Sequence, residues 1–107
     1  LVIGINTDTS VRRLKGRMRP INSQTDRAEV LAALEYVDFV VFFSEDTPLK
    51  LIRALKPDAL IKGGDWKKKD IVGADIVKSL GGRVYTRTFV KDHSTTDIIQ
   101  KILKNQA

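Results

Sequence analysis

Three hydroxyl side chains in a row, Ser94-Thr95-Thr96, sit between an apolar run ending at Val90 and a helical pattern marked by Ile98, Ile99, Ile102 and Leu103. Ser94 is spaced to be an N-cap, with Asp97 three residues on in a capping-box-like relation. The first turn of such a helix offers unpaired backbone N–H groups and the positive end of the macrodipole. With three hydroxyls added, it suits a phosphate. Taken alone, the stretch is better explained as an ordinary capped helix, and it is the rest of the chain that favours a phosphate. Gly63-Gly64-Asp65-Trp66 is the second chemical stretch. Paired glycines permit close backbone approach by a ligand, and Trp66 supplies an aromatic wall. The bland alternative is a turn covered by its tryptophan. Lys15 lies among Arg12, Arg13, Arg17 and Arg19, and Lys67, Lys68 and Lys69 form a second basic cluster. Either cluster can neutralise polyphosphate or simply face solvent. Arg27, near a predicted helix start, is electrostatically out of place and suits an anion or a surface ion pair. Asp8 reads as a cap or a ligand contact, and His93 as an acid, a base or a polar loop residue. No nucleophile–base pair or carboxylate dyad follows from spacing.

The elements that must position these residues read as β-α-α-β-α-β-α-β-α. Leu1–Asn6, Val37–Phe43, Asp58–Lys62 and Arg83–Phe89 are short, β-rich and almost uninterruptedly apolar, which predicts buried parallel strands. Thr7 to Ser10 offers caps for a short helix to about Lys15, and Gly16 to Asn22 forms a loop. Ser23 and Asp26 open what reads as the best helix, with Ala28, Leu31, Ala32, Ala33 and Leu34 on its apolar face. Thr47-Pro48 predicts a cap followed by proline at the first helical position, and Pro57 stops that helix. A further helix near Ala74–Leu80 is closed by Gly81-Gly82, and the last runs from Ser94 to about Lys104. Strands separated by helices predict one α/β domain over 1–107, a parallel sheet with helices on both faces. Ligands of such sheets bind beyond the carboxyl ends of the strands. Asn6–Ser10, Gly63–Trp66 and Lys91–Thr96 each follow a strand, so all three are expected on one rim.

The chain has 107 residues, 42% hydrophobic and 30% charged, a globular composition. No apolar run approaches the roughly 20 residues of a membrane-spanning helix, and no signal-peptide pattern opens the sequence. Cysteine is absent, which excludes a disulfide framework and thiolate metal sites and fits a cytoplasmic protein. The single histidine excludes a multi-histidine metal cluster, so no protein metal site is expected. A net charge of +6 points to anionic partners. No aromatic residue interleaves the first basic cluster, which argues against single-stranded nucleic acid.

Taken together, the segments resemble the cytidylyltransferase-like nucleotidyltransferases, and within them the adenylyltransferase domains of ADP-heptose synthases. The carrying segments are Asn6-Thr7-Asp8, Arg13-Leu14-Lys15-Gly16, Arg19-Pro20-Ile21-Asn22, Arg27 and Leu31–Asp38. Glu45-Asp46-Thr47-Pro48, Lys62–Trp66 and Ser94–Ile99 follow in order. The resemblance implies a Rossmann-like fold and AMP transfer from ATP to D-glycero-β-D-manno-heptose 1-phosphate. The product, ADP-heptose, feeds lipopolysaccharide core synthesis. It implies that Ser94, Thr95 and Thr96 hold nucleotide phosphates and that Gly63, Gly64, Asp65 and Trp66 form the nucleotide pocket. Lys15 becomes the catalytic phosphate contact, with Arg27 and Asp8 on the phosphate or sugar side and Mg²⁺ accompanying ATP. Homodimer formation and a fused or separate sugar kinase are further implications. The family signature, Gly-x-Phe-Asp with His-x-Gly-His, is absent from the sequence, so a first strand and histidine-bearing helix are expected to precede residue 1. Two other readings stay open: a CTP-dependent enzyme acting on a polyol phosphate such as glycerol 3-phosphate, and a non-catalytic module binding nucleotide or nucleic acid.

Overall fold

The computed structural model describes residues 1–64 and 66–106 as two compact units, 1–56 and 57–107. Each holds one pair of parallel strands, in keeping with the predicted α/β class.

In the first unit β1 (Val2–Asn6) pairs in parallel with β2 (Phe39–Phe43), Val2 opposite Phe39 through Asn6 opposite Phe43. Between them run α1 (Asp8–Lys15) and α2 (Gln24–Ala32), and α3 (Leu49–Leu55) follows β2. The predicted helices form where local signals are strongest. Ser23 caps α2, its hydroxyl accepting the Asp26 N–H at 3.1 Å. Helices cover both faces of this pair, because side chains alternate along a strand. Ile5 shares a concavity with Arg27, Val30 and Leu31 of α2. On the opposite face Gly4 lies against α3, where an added Cβ would meet Leu51 Cδ2 at 2.9 Å.

In the second unit β3 (Ala59–Gly63) pairs in parallel with β4 (Arg83–Arg87). A 3-10 turn (Lys68–Asp70) and α4 (Ala74–Ser79) connect them, and α5 (Thr95–Lys104) closes the chain. The core of this unit is Ile71, Ala74, Val77 and Val84, all buried, with Val77 at 0% exposure. Gly82 admits α4 onto the strands. A Cβ there would stand 2.7 Å from Val77 Cγ1 and 2.8 Å from the Asp58 carbonyl oxygen.

Four expectations need correction. The strands are not fully buried: Val2, Phe39, Phe42 and Ile61 are exposed. Two five-residue strands covered by short helices cannot enclose every apolar side chain. Helix α2 ends at Ala32, so Leu34 lies beyond it and is exposed, and α5 is the longer helix. Thr47 does not cap α3. Pro48 itself occupies the N-cap position, and its carbonyl accepts the first helical bond, from Ile52 N–H at 2.9 Å. Asp8 is not the cap of α1 either, because Thr7 holds that position and accepts from Ser10 N–H at 3.3 Å.

Candidate nucleotide site

Parallel pairing brings the segments after consecutive strands to the same end of each unit. In the first unit the ladder continues past Asn6, with Thr7 N–H donating to the Phe43 carbonyl at 3.0 Å. The hydroxyl of Thr7 donates to Ser44 Oγ at 3.2 Å, and that of fully buried Ser10 to the Glu45 carbonyl at 3.2 Å. Asn6 Nδ2 donates back to Ser10 Oγ at 2.9 Å. Arg13 completes the brace, with Nε on Asp46 Oδ1 at 2.7 Å and Nη2 on the Ser44 carbonyl. The sequence signalled Arg13 as one of a basic cluster and of a family-like segment, not as a brace, although it lies one helical turn from Ser10 and an acidic residue follows β2. Such a guanidinium is spent on the fold rather than on a ligand.

Asp8 and Arg27 do come together. Arg27 Nη2 lies 2.9 Å from Asp8 Oδ1, with both side chains about a quarter exposed. Nε of Arg27 donates to the Asn22 carbonyl at 3.1 Å, and the Asp8 N–H donates to Gln24 Oε1 at 2.9 Å. The cation at the start of α2 is therefore answered by a carboxylate at the start of α1, which resolves its electrostatic misplacement. Arg27 and Asn22 also line an open concavity of about 410 Å³ with Ile5, Asp26, Val30 and Leu31. Lys15 stands apart from this pair. It ends α1, exposed, and its ammonium makes no hydrogen bond or ion pair among the described residues. Seven helical steps separate it from Asp8, roughly 10 Å along the axis.

In the second unit the N–H of Gly64 donates to the Arg87 carbonyl at 2.7 Å, carrying the ladder one residue past β3. Gly64 is buried and takes φ +107°, a conformation that glycine alone adopts readily. Trp66 is half exposed, with Lys62 Nζ 5.5 Å from its ring centroid, a cation–π distance. Asp65 lies outside the described residues. Ser94 caps α5 as its spacing predicts. Its Oγ accepts from Asp97 N–H at 3.0 Å and donates to Asp97 Oδ2 at 2.7 Å. Thr95 and Thr96 occupy the exposed first turn. His93 is a loop residue whose Nδ1 donates to the Lys91 carbonyl at 2.6 Å. What the second unit offers is a glycine turn with aromatic cover after β3 and, after β4, a capped helix start with two more hydroxyls.

Among the described residues, no group of three or more His, Cys, Asp or Glu side chains could hold a metal ion. No helix there is long and apolar enough to cross a membrane.

Comparison with known proteins places the chain in context. The sequence profile of the family described as cytidylyltransferase-like matches residues 1–101. The chain is 57% identical over 104 residues to the bifunctional protein HldE of Geobacter metallireducens, covering 97% of this chain and 21% of that protein. Over 102 residues, 95% of this chain and 21% of the relative, it is 57% identical to HldE of Geotalea uraniireducens. HldE of Campylobacter concisus is 58% identical over a segment of the same extent. The chain thus spans about a fifth of the length of these relatives.

Proposed function

This chain belongs to the cytidylyltransferase-like family, and from that premise we propose that it contributes to adenylyl transfer from ATP to D-glycero-β-D-manno-heptose 1-phosphate. An oxygen of the sugar phosphate attacks the α-phosphorus of ATP. A new P–O bond forms, the bond to the bridging α–β oxygen breaks, and pyrophosphate leaves with that electron pair. ADP-heptose is the second product. Such a displacement needs alignment and charge neutralisation more than covalent help from the protein.

The observation that carries this reading is the first turn of α5, where Ser94 caps the Asp97 N–H and Thr95 and Thr96 add two further hydroxyls beside the helix N–H groups. Those N–H groups would donate to nucleotide phosphate oxygens. Gly63, Gly64 and Trp66 would receive the nucleoside, with Asp65 between them in sequence. Lys15, whose ammonium is unpaired among the described residues, would supply its charge to the phosphates. Arg27 and Asp8 would address the sugar phosphate from beside the concavity lined by Asn22 and Arg27. The absence of a carboxylate or histidine cluster among the described residues does not fit a resident metal. A divalent ion therefore enters with the nucleotide, as part of Mg–ATP.

Identity to proteins named HldE supports the heptose assignment over the polyol-phosphate alternative. The test is pyrophosphate release by the full-length protein, comparing ATP plus heptose 1-phosphate with CTP plus glycerol 3-phosphate. Faster release from the first pair is expected, and dominant use of CTP would overturn the assignment. Steeply salt-dependent binding to DNA or RNA, with no preference for ATP, would favour the non-catalytic module instead.

A further inference from the structure

Phe89, just after β4, presents a large apolar ring to solvent. It is 73% exposed, and Trp66 is 50% exposed, yet the Phe89 ring lies against both Gly63 and Gly64, and the Trp66 ring against Gly64. A Cβ built on Gly63 would stand 2.7 Å from Phe89 Cε1. One built on Gly64 would stand 3.3 Å from Phe89 Cε2 and 3.2 Å from both Cδ1 and Nε1 of Trp66. Any side chain at Gly63 would push the phenyl ring away, so the paired glycines are what let it lie there. The floor beneath is fixed, because Gly64 is tied through its N–H to Arg87. Lys62 adds a cation at the Trp66 ring. Core packing does not account for this arrangement, since most of the Phe89 surface stays in water. Two partly exposed aromatic rings, a backbone floor and an adjacent positive charge together suit a flat aromatic ligand that carries negative charge.

We infer that Phe89 and Trp66 form an aromatic platform over Gly63-Gly64 that takes the nucleobase by stacking, which makes Phe89 a binding residue of the nucleotide site. The inference rests on the nucleotidyltransferase reading for its ligand and assigns the base to a defined surface. Stacking depends on ring area and tolerates any base. The platform therefore favours a purine over a pyrimidine by contact area.

The experiment is calorimetric titration of ATP and CTP into the full-length protein and its Phe89→Leu and Phe89→Tyr variants, with KM for the sugar phosphate measured alongside. Phe89→Leu is expected to raise the Kd for ATP about tenfold. Phe89→Tyr, which keeps the ring, stays within about twofold of the unsubstituted protein. The sugar-phosphate KM and the melting temperature are expected to stay unchanged, because the ring is exposed. Equal ATP affinity in Phe89→Leu and the unsubstituted protein overturns the platform while leaving adenylyl transfer standing. A protein that turns over CTP, and whose CTP affinity falls tenfold in Phe89→Leu, overturns the adenylyl assignment and keeps the platform. Binding of neither nucleotide overturns both.

Discussion

Replacing Ser94 separates its two conceivable duties, holding the helix and admitting a phosphate. Ser94→Ala removes the bond from Asp97 N–H at 3.0 Å and the bond to Asp97 Oδ2 at 2.7 Å. Loss of an N-cap of this kind costs about 1 kcal/mol, equivalent to about fivefold in an equilibrium constant. Ser94→Asn keeps a capping oxygen with no charge and should behave close to the unsubstituted protein. Ser94→Asp also caps, and the exposed Asp97 side chain is free to turn away from the new carboxylate. Its charge would stand about 4 Å from any phosphate on the first-turn N–H groups, a repulsion of about 1 kcal/mol in water and about 4 kcal/mol near a protein surface. ATP affinity should then fall at least about fivefold with the helix intact. Raising the salt concentration should relieve part of that loss, as screening requires. The assay is ATP titration of the full-length protein at two ionic strengths, paired with amide exchange at Asp97 and Ile98 to report the helix start. Unchanged ATP affinity in Ser94→Asp would refute a phosphate at α5.

Other substitutions test neighbouring parts of the account. Lys15→Ala and Thr95→Ala, both at exposed positions, should leave thermal unfolding unchanged and slow adenylyl transfer at least about tenfold; unaltered turnover in either would remove that residue from the site. Arg27→Ala leaves the partly buried Asp8 carboxylate without its cation and should cost about 1–3 kcal/mol of stability, read by urea unfolding. Val77→Ala, at a fully buried position, should cost about 2 kcal/mol. Gly82→Ala should be at least as costly, because the new methyl meets the Asp58 carbonyl at 2.8 Å, and backbone gives way less readily than side chains. If Gly82→Ala unfolds at the same urea concentration as the parent, the close packing of α4 on its strands is wrong.

What the sequence revealed follows the range of the forces involved. The caps at Ser23 and Ser94 are local devices fixed by a three-residue spacing, and both form as that spacing predicts. Parallel pairing followed from apolar strands alternating with helices, and the structure has it in both units. Local signals failed where two caps competed: Thr7 displaced Asp8 in α1, and Pro48 displaced Thr47 in α3. Once Asp8 was free of capping, its carboxylate went to Arg27, nineteen residues away, a pairing no periodicity announces. Arg13 likewise finds Asp46 thirty-three residues on. Phe89 passed for strand interior because its composition fits one, whereas β4 ends at Arg87 and leaves it outside. Burial was overestimated for the same reason: apolar character sets what a strand prefers, and the neighbours available set what it gets.

The most direct test of adenylyl transfer is pyrophosphate release by the full-length protein supplied with heptose 1-phosphate and either ATP or CTP. The account predicts that ATP supports turnover, that ADP-heptose accumulates in step with pyrophosphate, and that Thr95→Ala and Lys15→Ala depress both together. Turnover with CTP in preference to ATP, or pyrophosphate release that does not depend on the sugar phosphate, would contradict it.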